Sequence, residues 1–201
     1  MARTVDPSRK PALLQQILDH LLDKPLSSLT FRTLAKALDV STFTLVYQFG
    51  SRADLIREIV QAISSRAVLI QDRLAADNST LDTYFEGLVI SWEWTLQPRN
   101  RQLQRLEFEA GMLEALDPEQ FTFTRALYEH WQSIGRDALL SFGLSAEDAE
   151  VESRLLVNTF HGIQYDLVLN RDEAAATASF ELAMRHHRAR IEALLAAASV
   201  G

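Results

Sequence analysis

TFRTLAKALDVSTFTLVYQFGSR, residues Thr30–Arg52, reads as two short helices set across a tight turn. Phe31, Leu34, Ala35 and Leu38 recur at i, i+3, i+4 and i+7, one face of a 3.6-residue period. Asp39 and Val40 interrupt that stripe. Ser41 follows as an N-cap, its hydroxyl able to accept from a free backbone N–H of the next helix. In the second helix Leu45 and Phe49 face inward, which turns Thr42, Phe43, Thr44, Val46, Tyr47 and Gln48 toward solvent or a partner. The pattern is a helix-turn-helix, and the second helix of such a pair can enter a DNA major groove.

Upstream, Leu13, Leu14, Ile17, Leu18, Leu21 and Leu22 form an apolar stripe, with Pro11 suited to a first helical turn. This predicts a supporting helix ending near Lys24–Pro25, the third member of a small bundle, with Leu26 and Leu29 closing the loop. His20 sits on it as a rim residue, and Arg3, Arg9 and Lys10 lie on a basic arm placed to track a DNA backbone. Downstream, Ser51 and Asp54 have the form of a capping box. They start a long helix whose Leu55, Ile59, Ile63, Val68 and Ile70 carry apolar residues to about Leu74.

The charge is segregated along the chain. Residues 1–66 hold nine Lys or Arg against six Asp or Glu, a net of +3, whereas the remainder carries –10 of the total –7. A basic head suits phosphates and an acidic body is repelled by them. With 201 residues and 47% hydrophobic content the chain can bury a sizeable core. No apolar run approaches the roughly 20 residues of a membrane span, and the start MARTVDPSRKP lacks a signal-peptide core, so a cytoplasmic location is expected. The absence of cysteine excludes disulfides, thiolate metal sites and a cysteine nucleophile.

The rest reads as helices. A loop is expected at Asp77–Thr80, with Ser79 and Asp82 as a capping pair, then helices over Asp82–Leu96, Asn100–Leu116 and Asp117 to about Phe142. Gly143 ends the last of these, Ser145 with Asp148 caps a helix to Leu169, and Asp172 opens the final one. No strand pattern or internal repeat is present. Aromatics at helical spacing usually fill cores. Interleaved with polar groups, however, Trp92, Phe108, Trp131, Phe160, His161 and Tyr165 suit a mostly apolar small-molecule site. Apolar faces on the last two helices, carried by Leu155, Ile163, Leu167, Phe180, Met184 and Ile191, suit either a homodimer interface or burial within one chain. Gly162 allows close helix approach there.

Val40-Ser41, Thr44-Leu45, Tyr47, Phe49, Ser51-Arg52 and Leu55 closely resemble the DNA-binding signature of the TetR family of transcriptional regulators. Beyond about Gln61 the resemblance rests on length and an all-helical pattern. One departure is Val46, where many members carry an aromatic, whereas Arg52 preserves the basic residue that commonly follows the motif's Ser or Asn. The resemblance implies an all-α fold. Residues 1–53 would form an N-terminal three-helix DNA-binding domain with the helix-turn-helix, and residues 54–201 a larger effector-binding and dimerisation domain. It also implies a repressor released from its operator by a small ligand, and the aromatic cluster above makes that ligand apolar or aromatic.

Base edges would be approached by Thr42, Phe43, Thr44 and Val46, phosphates by Thr30, Tyr47 and Arg52, and either by Arg32 and Gln48. No cofactor and no metal ion are expected. Two other classes remain open: a helical small-molecule-binding protein without specific DNA recognition, and an enzyme. For the enzyme the raw material is Glu107, Glu109, Glu114, His130 and His161, with no Gly-rich phosphate loop, nucleophile elbow or His-Glu metal motif.

Overall fold

The computed structural model describes residues 8–75, 80–121 and 123–198, without the side chains of 66–75. Among the described residues the chain is all helical. Its helices are α1 (Arg9–Leu21), α2 (Phe31–Ala37), α3 (Thr42–Phe49), α4 (Arg52–Ala75), α5 (Leu81–Leu96), α6 (Pro98–Leu116), α7 (Thr124–Phe142), α8 (Ala146–Asn170) and α9 (Glu173–Ala198), with a 3-10 turn at Leu26–Ser28 between α1 and α2. Arg3, Asp77, Asn78 and Ser79 lie outside the described residues, as do the side chains of Val68, Ile70 and Leu74.

Two compact units divide the chain, residues 1–63 with 106–124 and residues 64–105 with 125–201. In the first, Leu13, Ile17, Leu18 and Leu21 of α1 are buried, as are Leu26 and Leu29 of the loop, Leu34, Leu45 and Phe49 of the helix pair, and Leu55, Ile56 and Ile59 of α4. The local chemistry explains the boundaries. Thr30 and Thr33 form a capping box at α2. Asp39, at φ 51°, makes the left-handed turn that a short polar side chain tolerates. Ser41 Oγ then accepts from the Thr44 N–H at 3.0 Å to start α3. At the far end Gly50 has φ 73°, and a Cβ there would stand 3.0 Å from Asp54 Oδ2, so α3 passes to α4 through a position that only glycine fits easily. The Ser51–Asp54 box is formed, with Ser51 N–H donating to Asp54 Oδ2 at 3.0 Å and Asp54 N–H to Ser51 Oγ at 3.1 Å.

The second unit has its own core. Tyr84, Phe85 and Trp92 of α5 pack with Leu139 of α7, Leu156 and Leu167 of α8, and Phe180, Met184 and Ile191 of α9. Helix α9 packs against both α8 and α5.

Three boundaries differ from those the sequence suggests. Helix α5 is capped by a Thr80–Thr83 box in place of Ser79 and Asp82. Helix α6 begins at Pro98, because a residue without an N–H loses nothing in a first turn. Asp117 does not open α7. Its carboxylate accepts from the Gln120 N–H at 3.2 Å in a turn, the local side-chain bond that competes with helix. Helix α7 starts at Thr124, whose N–H donates to the buried Glu114 carboxylate at 2.6 Å.

Candidate nucleic-acid interface

Helix α3 is held by two anchors and otherwise turned outward. Leu45 and Phe49 are buried, while Phe43, Val46 and Tyr47 are 76%, 49% and 62% exposed. Large apolar side chains at this exposure, grouped on one helical turn, have no packing role inside the chain. The rings of Phe43 and Tyr47 stack at 6.3 Å with 22° between planes, so the row presents one continuous surface. Thr42 is exposed beside it; Thr44 and Gln48 are half-buried on the flanks. The Thr44 hydroxyl is 2.8 Å from Ser41 Oγ and belongs to the cap.

Thr30 and Arg32 lie at the exposed start of α2, where Thr30 Oγ1 accepts from the Thr33 N–H at 3.1 Å. Arg52 is more constrained. Its Nε donates to the Leu29 carbonyl at 2.9 Å and its Nη2 to the Leu26 carbonyl at 3.3 Å, leaving Nη1 without a partner among the described residues. The same loop is held from the other side, since the Leu26 N–H donates to the Glu109 carboxylate of α6. Lys10 is not part of a loose arm. Its ammonium is 2.6 Å from Glu58 of α4 and lies over the Phe49 ring. Asp54 is held down to about 2 by the Ser51 hydroxyl first, then by the Ser51 N–H and the Arg57 guanidinium, which keeps the cap ionised.

The aromatic residues assigned to a ligand site fall into separate groups. Trp92 stacks on Phe180 at 5.0 Å with 9° between planes, Phe160 meets both rings edge-on, and the Trp92 indole donates to Thr177 Oγ1 at 3.2 Å. His161 packs against Tyr128 at 4.5 Å, and Trp131 lies beside His130. Tyr165 is exposed on α8, and Phe108 is half-buried on the α6 segment that belongs to the first unit.

Of the residues assigned to a dimer face, Leu167, Phe180, Met184 and Ile191 are buried in the core of their own unit, Ile163 is half-buried and Leu155 is exposed. The side of α8 that stays outward is a different row. It consists of Val151, Leu155, Asn158, Gly162, Tyr165 and Leu169, at alternating spacings of four and three.

A buried polar group went unread in the sequence. Glu152 of α8 and His187 of α9 approach to 3.8 Å inside the second unit, with Tyr84 of α5 packed on the His187 ring. Tyr84 Oη, Glu152 Oε2 and His187 Nε2 find no hydrogen-bond partner among the described residues. Burial pushes the His187 imidazole below its ordinary value, partly opposed by Glu152, and pushes the Tyr84 phenol up. The signal was present: Glu152 stands in helical register with buried Ala149 and Leu156, as His187 does with Met184 and Ile191. No group of three or more metal-ligating side chains occurs among the described residues, and none of the helices there is long and apolar enough to cross a membrane.

No protein-family model and no curated protein sequence matches the chain. Solved structures do. A TetR transcriptional regulator from Legionella pneumophila superposes with a TM-score of 0.63 at 17% identity, covering 96% of this chain and 98% of that one. A Rhodococcus chain assigned to the TetR family gives 0.67 at 15% identity over 93% and 98%. A TetR-family regulator from Pectobacterium atrosepticum gives 0.58 at 16% over 94% and 92%. The chain therefore has the fold of TetR-family transcriptional regulators over nearly its whole length.

Proposed function

We propose that the protein is a sequence-specific DNA-binding transcriptional regulator of TetR type, not an enzyme, acting in the cytoplasm as a homodimeric repressor that a small apolar or aromatic molecule releases. The observation that carries this reading is the exposed row Phe43, Val46 and Tyr47 on a short helix anchored by Leu45 and Phe49. In it, Phe43 and Val46 meet thymine methyls and Thr42 reaches base edges, with Thr44, its hydroxyl shared with the Ser41 cap, and Gln48 at the flanks. Tyr47, Thr30, Arg32 and Nη1 of Arg52 take phosphates, which positions the helix without reading sequence.

Dimerisation is supported by the outward row on α8. Leu155 and Val151 are more than half exposed, and nothing lies within 4 Å of a Cβ built on Gly162, so a second helix can approach there. Exposed Ala178, Leu182 and Ala189 provide an apolar counterpart on α9. A twofold pair places two recognition helices on half-sites about 34 Å or a multiple apart.

The test is fluorescence anisotropy of the protein on the DNA upstream of its own gene, over a salt series, with a scrambled duplex as control. Salt-sensitive binding that strongly prefers the upstream fragment is expected. Equal, weak binding to both duplexes, there and across a random-sequence selection, would replace this reading with a helical small-molecule-binding protein that does not recognise DNA.

A further inference from the structure

On the outside of the second unit, Asp82, Phe85, Glu86, Val89 and Ile90 of α5 and Arg188 of α9 line an open groove of about 480 Å³. That volume falls in the range of small-molecule sites. Its apolar side is Phe85 with Val89 and Ile90, the latter two exposed. Its charged side is acidic, with two carboxylates against one guanidinium among the lining residues.

One cation, the chain's own Arg188, already sits in the groove. Arg188 lies over the face of the Phe85 ring, 4.7 Å from its centroid, while its Nη2 donates to Asp82 Oδ1 at 2.7 Å. An aromatic face and a carboxylate converging on one cation make a complete cation site, occupied here by the protein's own side chain. Glu86 has no ion pair or hydrogen bond among the described residues, so one lining carboxylate remains uncompensated. Arg188 is attached by two solvent-accessible ion pairs, to Asp82 and, at 3.7 Å, to Glu192 one turn on in α9, and by a long flexible stem, and such contacts exchange readily.

We propose that this α5–α9 groove binds an organic cation, a guanidinium or ammonium on an apolar body. The ligand's charge takes the place of Arg188 over Phe85, between Asp82 and Glu86, and its body lies along Val89 and Ile90. This deepens the effector reading above by assigning it a chemical class and a place outside the aromatic core. Arg188 is then a built-in competitor that sets how much ligand is needed.

The experiment is calorimetric titration of the full-length protein with benzylguanidinium, and with benzyl alcohol as the neutral control, each variant first checked by circular dichroism. Saturable binding of the cation alone is expected. Arg188→Ala should tighten it about tenfold by removing the competitor, and Asp82→Asn with Glu86→Gln should weaken it by at least as much. Val89→Trp changes an exposed position, fills the groove and should abolish binding while leaving Arg188 in place. Absence of binding to both wild type and Arg188→Ala at millimolar cation overturns the proposal. So does equal binding of benzyl alcohol, or an affinity indifferent to Arg188→Ala and Val89→Trp. The titration contains no DNA, so its failure leaves operator binding untouched, and failure of operator binding leaves the titration standing.

Discussion

The guanidinium of Arg52 is bonded to the carbonyl of Leu29, 2.9 Å from Nε, across the loop that delivers the chain to the helix-turn-helix. Nε and Nη2 secure the loop carbonyls, and Nη1 has no partner among the described residues, which under the proposed function leaves it to take a phosphate. Arg52→Ala should destabilise the protein by about 1–3 kcal/mol, since hydrogen bonds to a charged group are lost and two carbonyls lose their donor. It should also reduce the slope of log K against log salt by about one unit. Chemical denaturation and a salt series read the two effects separately.

The opposite wall of that loop predicts a second effect. Leu26 is fully buried and its N–H donates to Glu109. Glu109→Ala leaves that donor without its acceptor and should cost about 1–3 kcal/mol, whereas Glu109→Gln, which keeps an acceptor oxygen, should cost less. The comparison of midpoints in urea for the two variants decides it.

On α3, stability and recognition should separate by position. Leu45 is fully buried, and Leu45→Ala should cost about 2–5 kcal/mol. Phe43→Ala, at a 76% exposed site, should change stability by no more than about 0.5 kcal/mol. It should nevertheless weaken operator binding unevenly across operator variants, because a contact to a thymine methyl is lost only where that base is present. Thermal melts paired with anisotropy on an operator series test this. Uniform loss on every duplex would place Phe43 on the backbone.

Acid sensitivity should come from the buried His187. Burial holds its pKa below the ordinary 6.5, while Glu152 of α8 pulls the other way and the neutral Tyr84 phenol of α5 sits beside the ring. The unfolded chain therefore binds a proton at a higher pH than the folded one. Stability is complete above about pH 6.5 and declines as pH falls from there toward the lowered folded value. Denaturation midpoints at pH 7.5 and pH 5.5 should differ, and His187→Phe should shrink the difference.

A second acid-labile element lies at a lower pH. Asp54 titrates at about 2 in the folded chain against an ordinary 3.8, so its contribution is present above 3.8 and is lost as pH falls through about 2. In Asp54→Asn the helix α4 cap should no longer respond to pH in that window, a change visible in the acid limb of a circular dichroism titration.

The sequence by itself determined the elements that depend on residues a few positions apart. The α1 stripe, the Ser41 cap, the Ser51–Asp54 box and the inward placement of Leu45 and Phe49 are all settled by contacts within one or two helical turns. Such contacts form wherever the local pattern permits them. Boundaries went astray where two local signals competed, as at Asp117, which could start a helix or close a turn and does the latter.

What only the tertiary structure decided is which chemically equivalent groups meet. The final two helices each carry more apolar surface than one face requires. Only packing against α5 and α7 assigns Leu167, Phe180, Met184 and Ile191 to the core and leaves Leu155 and Leu169 outside. The Leu26 N–H finds its carboxylate 83 residues away, and Arg188 finds Asp82 across 106. Helical periodicity places a side chain on a face of its own helix. The partner of that face is chosen by the long-range burial of the whole chain, a free-energy balance that no local window of sequence contains.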